Sequence, residues 1–197
     1  MKARKTGNRK EFLRYYRNMK KVLLIILSLA ILAVVVLVVC NKDWNLNTQG
    51  GATNFMECVA EGNPVMESYP RQCRSGDNTY VENIGNELEK INLIRLDAPR
   101  PNQSISSPLI IKGEARGTWF FEGDFPIILT NWDGLIIAEG IARTEDEWMT
   151  EDFVPFEAIL EFEKPTYGDN GNLILRKDNP SGLPEYDDAL EIPIFFK

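Results

Sequence analysis

The chain has 197 residues, which is room for one ordinary domain and some smaller segments. It carries 29 acidic and 22 basic side chains and no histidine, so Ser-His-Asp and Cys-His catalysis and histidine-ligated zinc are excluded. Nine of the bases lie within residues 1–21 beside one acid, which leaves 13 bases and 28 acids in residues 22–197. This acidic balance makes residues 22–197 a poor candidate for binding nucleic acid through its phosphates.

Residues 22–39 consist of Val, Leu, Ile and Ala, interrupted only by Ser28. As a helix they would extend about 27 Å, close to the ~30 Å thickness of the hydrocarbon core of a bilayer. A soluble helix does not need to be apolar on every side. The segment therefore predicts a single transmembrane helix over residues 22–40.

The basic flank sets the predicted orientation of this helix. Because Lys and Arg accumulate on the cytoplasmic side, residues 1–21 are predicted to be a basic cytoplasmic tail, with the C-terminal part outside. The predicted location is the cytoplasmic membrane, with one span. We favour an uncleaved signal anchor. Cleavage with lipidation of Cys40 is the alternative, although Val39 is larger than the small residue that normally precedes a lipidated cysteine.

Two of the three cysteines predict a disulfide. Cys58 and Cys73 lie outside the membrane in this topology, where oxidation favours their pairing, and the closed loop contributes about 3 kcal/mol in the chain-entropy model. Two thiolates without histidine are too few ligands for zinc. Residues 56–84 are thus predicted to be a small disulfide module that acts as a membrane-proximal spacer, between linkers at 41–55 and 85–90.

Residues 73–83 resemble the Cys-to-Asn stretch of Kazal-type protease inhibitors. Most of that family's cysteines are missing here, and they form the framework that a rigid inhibitory loop requires. Protease inhibition is therefore a minor alternative to the spacer.

Residues 91–197 show short apolar alternations separated by turn residues, which is typical of an all-β immunoglobulin-like sandwich of about seven strands. The predicted strands are 91–96, 109–115, 125–132, 135–143, 153–163, 173–176 and 190–196. Pro193 marks its strand as an edge or a bulge, because proline cannot donate a backbone hydrogen bond. Asp133 and Gly134 predict a hairpin turn.

Alternation in two of the strands predicts which side chains face the core. Those of the fifth strand are Phe156, Ala158, Leu160 and Phe162, and those of the last strand are Leu190, Ile192, Ile194 and Phe196. The aromatic residues predicted to fill the core are Trp119, Phe120, Phe121, Phe125, Trp132, Trp148, Phe153 and Phe156.

Several short motifs follow one another along residues 94–196: Ser107-Pro108-Leu109, Gly113-Glu114-Ala115-Arg116, Phe120-Phe121-Glu122, Phe125-Pro126-Ile127, Asp133-Gly134, Phe153-Val154-Pro155-Phe156, Asn179-Pro180-Ser181-Gly182 and Glu191-Ile192-Pro193-Ile194. This succession resembles the immunoglobulin-like domain family of bacterial spore germination. The resemblance implies an envelope-associated sandwich. It supplies no catalytic residue and no cofactor, and it does not imply sporulation.

Two elaborate loops, 144–152 and 178–188, hold the candidate ligand-binding residues. Trp148 and Tyr186 are expected to stack on a sugar or a peptide, and Glu185, Asp187 and Asp188 to accept hydrogen bonds from its hydroxyl or amine groups. In the alternative interpretation, Trp148 closes one end of the core and the acids form a solvated rim.

Two groups of side chains carry oxygen atoms of the kind that bind calcium: Asp169, Asn170 and Asn172, or Asp178, Asp187 and Asp188. Neither group has the spacing of a known calcium loop, so no metal site is predicted. A hydrolase built on a carboxylate pair is a minor alternative.

The sequence thus predicts a non-enzymatic, membrane-anchored binding module of the bacterial envelope, without a cofactor. Its predicted partners are the membrane and a cell-wall glycan or an envelope protein, and nucleic acid is not among them. The alternative is a structural subunit of a membrane complex, in which the helix and the basic tail make the important contacts.

Overall fold

The computed structural model describes residues 51–197. Before them it describes residues 14, 15, 19, 21 and 27–32, and these earlier residues are all helical. Most of the predicted cytoplasmic tail, membrane helix and first linker, together with Cys40, lies outside the described residues. Among the residues that are described, no helix is both long and apolar enough to cross a bilayer. Residues 52–197 form one compact unit.

The unit begins with a small module of one helix and three short strands. Helix α1 (Phe55–Ala60) is followed by β1 (Val65–Met66), β2 (Gln72–Ser75) and β3 (Asn78–Val81), which form an antiparallel sheet in the order β1-β2-β3. The helix begins where the side chain of Asn54 accepts a hydrogen bond from the Glu57 N–H at 2.9 Å.

A disulfide joins the helix of this module to its sheet. Cys58 on α1 is bonded to Cys73 on β2, and both residues are fully buried. Ala52 and Phe55 complete the buried cluster, with Val65 and Tyr80 packed against it. The predicted pairing is confirmed.

After helix α2 (Glu87–Lys90), eight strands form the main sheet in the order β4-β6-β9-β8-β7-β10-β11-β5. They are β4 (Ile94–Ala98), β5 (Ser104–Ile105), β6 (Leu109–Arg116), β7 (Asp124–Asn131), β8 (Ile136–Arg143), β9 (Phe153–Leu160), β10 (Asn170–Arg176) and β11 (Ala189–Phe196). Each of the seven predicted strands is present, with shifted ends. The eighth, β5, was not predicted.

The sheet curls on itself. β8 and β9 are joined through one residue pair, Arg143 and Glu157, so the half β4-β6-β9 faces the half β8-β7-β10-β11-β5. The rings of Phe125 on β7 and Phe156 on β9 pack edge-to-face, with centroids 4.9 Å apart. This arrangement is that of an immunoglobulin-like sandwich.

The predicted inward faces of β9 and β11 are confirmed. Phe156, Ala158 and Leu160 are buried along β9, and all four predicted side chains of β11 are buried. Phe162 lies beyond the end of β9 and packs against Phe196 at 5.7 Å between ring centroids.

Two aromatic residues predicted for the core are exposed instead. Phe121 belongs to the β6–β7 connection, and Trp132 follows the last residue of β7. The inward alternation of a strand ends with the strand, so neither side chain is directed into the sandwich. The prediction was wrong for these two positions.

Pro193 lies on the side of β11 that no strand covers at this point, because β5 pairs with β11 only at Phe195 and Phe196, so the predicted edge position is confirmed locally. In β11, the backbone groups of residues 191 and 193 face away from β10, since the Glu191 N–H donates to the Asn86 side chain at 2.8 Å. The Pro193 carbonyl accepts the Asn102 N–H on that same side, at 2.7 Å. The missing N–H of Pro193 therefore leaves the β10–β11 ladder intact.

Residues 85–90, predicted as a linker, join the module to the sandwich. The Asn86 side chain donates to the Ala189 carbonyl at 2.9 Å, and its backbone N–H donates to the Glu191 carbonyl at 3.1 Å. Asn86 thus occupies the edge of β11 as an added strand would. Gly85 has a φ of +68° and lies against the Glu191 carbonyl, where a Cβ would overlap the backbone.

Candidate functional site

Three connections meet at one end of the sandwich: 117–123 between β6 and β7, 144–152 between β8 and β9, and 177–188 between β10 and β11. We call this surface the loop end. Backbone hydrogen bonds tie the first connection to the other two, from Gly117 N–H to the Asp152 carbonyl at 3.2 Å and from Asp178 N–H to the Trp119 carbonyl at 3.0 Å. The loops that carry the predicted site are therefore held on one rigid base.

Trp148 lies at the base of the loop end, in contact with the core of the sandwich. Its side chain is half-buried, packs against the main core and lies beside Gly123. Gly117 lies under the carbonyl groups of Trp148 and Thr150, which a Cβ would overlap. This placement is what the alternative interpretation expects of a residue that closes one end of the core. Ligand stacking by Trp148 stays a prediction.

Tyr186 is presented to solvent. It ends a single 3-10 turn, Pro184–Tyr186, and its side chain is 54% exposed. The neighbouring Glu185 is exposed as well. Among the five predicted ligand-binding residues, Tyr186 thus offers an exposed aromatic ring and Glu185 an exposed carboxylate beside it.

The other two acids of the predicted site contact the protein itself. Asp187 accepts a hydrogen bond from the Asn179 side chain at 2.8 Å. Asp188 forms an ion pair with Lys90 of α2 at 2.5 Å. Both carboxylates thus stabilise the loop 177–188, and their direct contact with a ligand stays a prediction.

The loop end is strongly acidic. Its three connections contain ten Asp and Glu residues and a single base, Lys177. Phosphate-rich polymers are repelled by such a surface, whereas cations and hydroxyl or amine donors are attracted to it. Within the part of the chain that the structure describes, no three Asp, Glu or Cys residues are grouped so as to hold a metal ion.

Two buried glutamates lie where the module meets the sandwich, and the sequence pattern predicted neither. Glu82 receives two hydrogen bonds from the Arg71 guanidinium, at 2.6 and 2.8 Å, one from the Arg71 backbone N–H at 3.4 Å and one from the Asn102 side chain at 3.1 Å. The Arg71 guanidinium lowers the pKa of this carboxyl below its usual range.

Glu87 has the opposite shift. It pairs with Arg100 at 2.8 Å and accepts a hydrogen bond from the Tyr69 hydroxyl. Burial nevertheless raises the pKa of the Glu87 carboxyl, because the loss of hydration outweighs the attraction of Arg100. Tyr69 and Arg100 belong to the module and the sandwich, respectively, so this cluster also holds the two together.

The two opposite shifts predict opposite pH dependence. Glu82 contributes its full stabilisation above its unfolded pKa of about 4.5, and that stabilisation is lost as pH falls through the lower folded pKa. Glu87 disfavours folding increasingly as pH rises from about 4.5 through its higher folded pKa. We expect Glu82→Gln to lower the free energy of unfolding by about 1–2 kcal/mol at pH 7, and by less at pH 4.

Denaturant unfolding of residues 51–197 at pH 7, 5.5 and 4 tests this expectation, with Glu87→Gln as the matched variant. Relative to the parent, Glu87→Gln should be at its most favourable at pH 7 and lose that advantage toward pH 4. Parallel pH profiles for the parent and both variants would contradict both assignments.

The curled sheet, the added edge contact and the loop end together define a protein class: an immunoglobulin-like module of a binding or structural kind. Residues 93–182 match the family of immunoglobulin-like domains of bacterial spore germination. The resemblance drawn from the sequence motifs is thereby confirmed over these residues, which run from just before β4 into the β10–β11 loop. Neither a curated protein nor a solved structure matches the chain. Domains of this immunoglobulin-like kind are generally not catalytic.

Proposed function

We propose that this chain is a non-enzymatic envelope protein that is anchored by residues 22–40 and displays its immunoglobulin-like module outside the cytoplasmic membrane. The anchor rests on the apolar run and its basic flank in the sequence. The disulfide in the module supports an oxidising location, since such bonds are rare in the cytosol.

The loop end is the surface on which this proposal places ligand contact. The observation that carries it is the exposed Tyr186 on one of three connections that together hold ten carboxylates and are tied to one another by backbone hydrogen bonds. An aromatic ring beside hydrogen-bond acceptors suits a ligand that offers hydroxyl groups, amines or cationic side chains. Cell-wall glycan and basic segments of envelope proteins both meet this description.

Co-sedimentation of residues 51–197 with isolated cell-wall material tests the loop end. We expect Tyr186→Ala to weaken binding by about fivefold to tenfold, because Tyr186 is the exposed aromatic ring among the predicted site residues. Met149→Ala is the matched control, since Met149 is 74% exposed on the neighbouring loop and was not predicted to bind. Equal binding by the parent and Tyr186→Ala would remove the loop end from the proposal.

The topology is tested separately by adding protease to intact spheroplasts and to spheroplasts with a permeabilised membrane. The proposal expects residues 52–197 to be cleaved from outside and the N-terminal tail to be protected. Protection of both parts in intact spheroplasts would overturn the external location.

The alternative function is that of a structural subunit of a membrane complex. It assigns the decisive contacts to residues 1–40, so partners recovered by cross-linking should be lost when residues 51–197 are used without the anchor. A binding module should retain its partner as this fragment.

A further inference from the structure

A second exposed surface lies at the end of the sandwich opposite the loop end. There the β7–β8 turn, residues 132–135, lies beside the connection 161–169, because Asn131 at the end of β7 pairs with Gly171 at the start of β10. Three large side chains project from it: Trp132 is 53% exposed, Leu135 is 64% exposed and Tyr167 is 80% exposed. We call these three residues the aromatic tip.

The tryptophan of the aromatic tip is held in place by its surroundings. Its ring lies against Gly168, which has a φ of +76°, and a Cβ at Gly168 would overlap the ring. The glycine thus provides both the backbone conformation and the space that the ring needs. An exposed ring in a fixed orientation loses little conformational entropy when a ligand binds to it.

The turn that carries Trp132 is likewise preorganised. The Asn131 side-chain oxygen accepts hydrogen bonds from the N–H groups of Asp133 and Leu135, at 3.0 and 2.9 Å. Gly134 takes the left-handed conformation between them. The turn that carries Trp132 and Leu135 is therefore held in one conformation by these hydrogen bonds.

The polar residues around the aromatic tip indicate which ligands fit. Residues 131–136 and 161–172, which include the whole connection, contain four carboxylates, three asparagines and one base, Lys164; the carboxylates are Asp133, Glu161, Glu163 and Asp169. Anionic polymers and anionic lipid headgroups would meet four like charges here and only one cation. A neutral sugar ring suits both the aromatic and the polar side chains of this surface. Its C–H face stacks on an aromatic ring, and its hydroxyl and amide substituents hydrogen-bond to carboxylates and side-chain amides.

We propose that the aromatic tip binds an uncharged glycan chain of the N-acetylhexosamine type. The inference rests on the proposed function only in placing the module beside the cell wall. It adds a site at the end of the sandwich for which the sequence predicted no ligand. Trp132 stacks on one sugar face, and Tyr167 extends the contact along the chain.

The test measures binding of residues 51–197, which form one compact unit, to insoluble β-1,4-linked N-acetylglucosamine polymer and to isolated cell walls. We expect Trp132→Ala to weaken binding to the polymer by about tenfold, and Tyr167→Ala by about threefold, in keeping with the stacking of one ring. Met149→Ala is the matched control, because Met149 is 74% exposed at the opposite end of the sandwich and neither proposal assigns it to binding. Tyr167 is so exposed that its replacement should leave the melting temperature unchanged, which keeps the test valid if Trp132→Ala unfolds.

Each outcome separates the two proposals. Loss of polymer binding in the tip variants, with Met149→Ala unaffected, supports the aromatic tip. Wall binding that depends on Tyr186 alone, without affinity for the polymer, overturns the tip and leaves the proposed function standing. Binding to neutral or anionic lipid vesicles, or self-association in sedimentation velocity, that is lost in Trp132→Ala without any glycan binding overturns the glycan assignment. If residues 51–197 bind neither the polymer nor cell walls, the assignment of a glycan ligand is overturned for both the loop end and the aromatic tip.

Discussion

Replacing Cys58 and Cys73 together by alanine should unfold the small module and leave the sandwich folded. Only four residues of the module form its buried cluster, and two of them are the bonded cysteines. The closed loop spans 15 positions, for which the chain-entropy model gives a contribution of about 3 kcal/mol. A module of this size buries too little apolar surface to remain folded without such a crosslink.

Limited proteolysis of residues 51–197 measures this effect, with mass spectrometry of the fragments. Cleavage should become rapid within residues 52–81 of the double variant, while residues 91–197 remain resistant, since their core comprises its own buried strands. Met66→Ala provides the control, because Met66 is an exposed residue of the same module. A double variant as resistant as the parent would show that the module is stabilised mainly by its contacts with the sandwich.

Replacing Gly85 by alanine should detach the module from the edge of β11. The new Cβ would overlap the Glu191 carbonyl, and the backbone of the strand cannot move without breaking its ladder with β10. Together with the positive φ, we expect a loss of about 2–4 kcal/mol. The hydrogen bonds of Asn86 to β11 depend on the same close approach and should be lost with it.

Gly76→Ala isolates the cause of this effect. Gly76 also has a positive φ, +59°, but a Cβ there would meet no atom within 4 Å, so its replacement incurs the backbone strain without the overlap. Hydrogen exchange of the Asn86 and Glu191 amides, together with denaturant unfolding, measures both variants. Equal destabilisation by the two substitutions would show that the approach of Gly85 to β11 is unimportant.

The strands of the sandwich could be predicted because their signal is local. Alternation with a period of two appears within each strand, and it identified the inward faces of β9 and β11 without knowledge of their partners. β5 was missed because a strand of two residues is too short to show a period. It is recognised by its parallel pairing with Phe195 and Phe196, which are remote in the sequence.

The fate of individual polar and aromatic side chains depended on distant segments. Glu82 and Glu87 lie in ordinary polar surroundings in the sequence, and they are buried only because Arg71 and Arg100 meet them at the junction of module and sandwich. Nothing local distinguishes these glutamates from solvated ones. Their role follows from docking, which brings together side chains of different elements.

The pattern of residues was sufficient to predict the all-β class, the pairing of Cys58 with Cys73 and the loops that carry Tyr186, since strand period, cysteine count and turn composition are properties of short segments. The curl of the sheet then decided which loops share an end. It also placed Trp132, predicted for the core, on the surface against Gly168, because a strand's alternation ends where the strand ends. Packing between segments that are remote in sequence places the loop end and the aromatic tip at opposite ends of the sandwich, and no local pattern of residues encodes this packing.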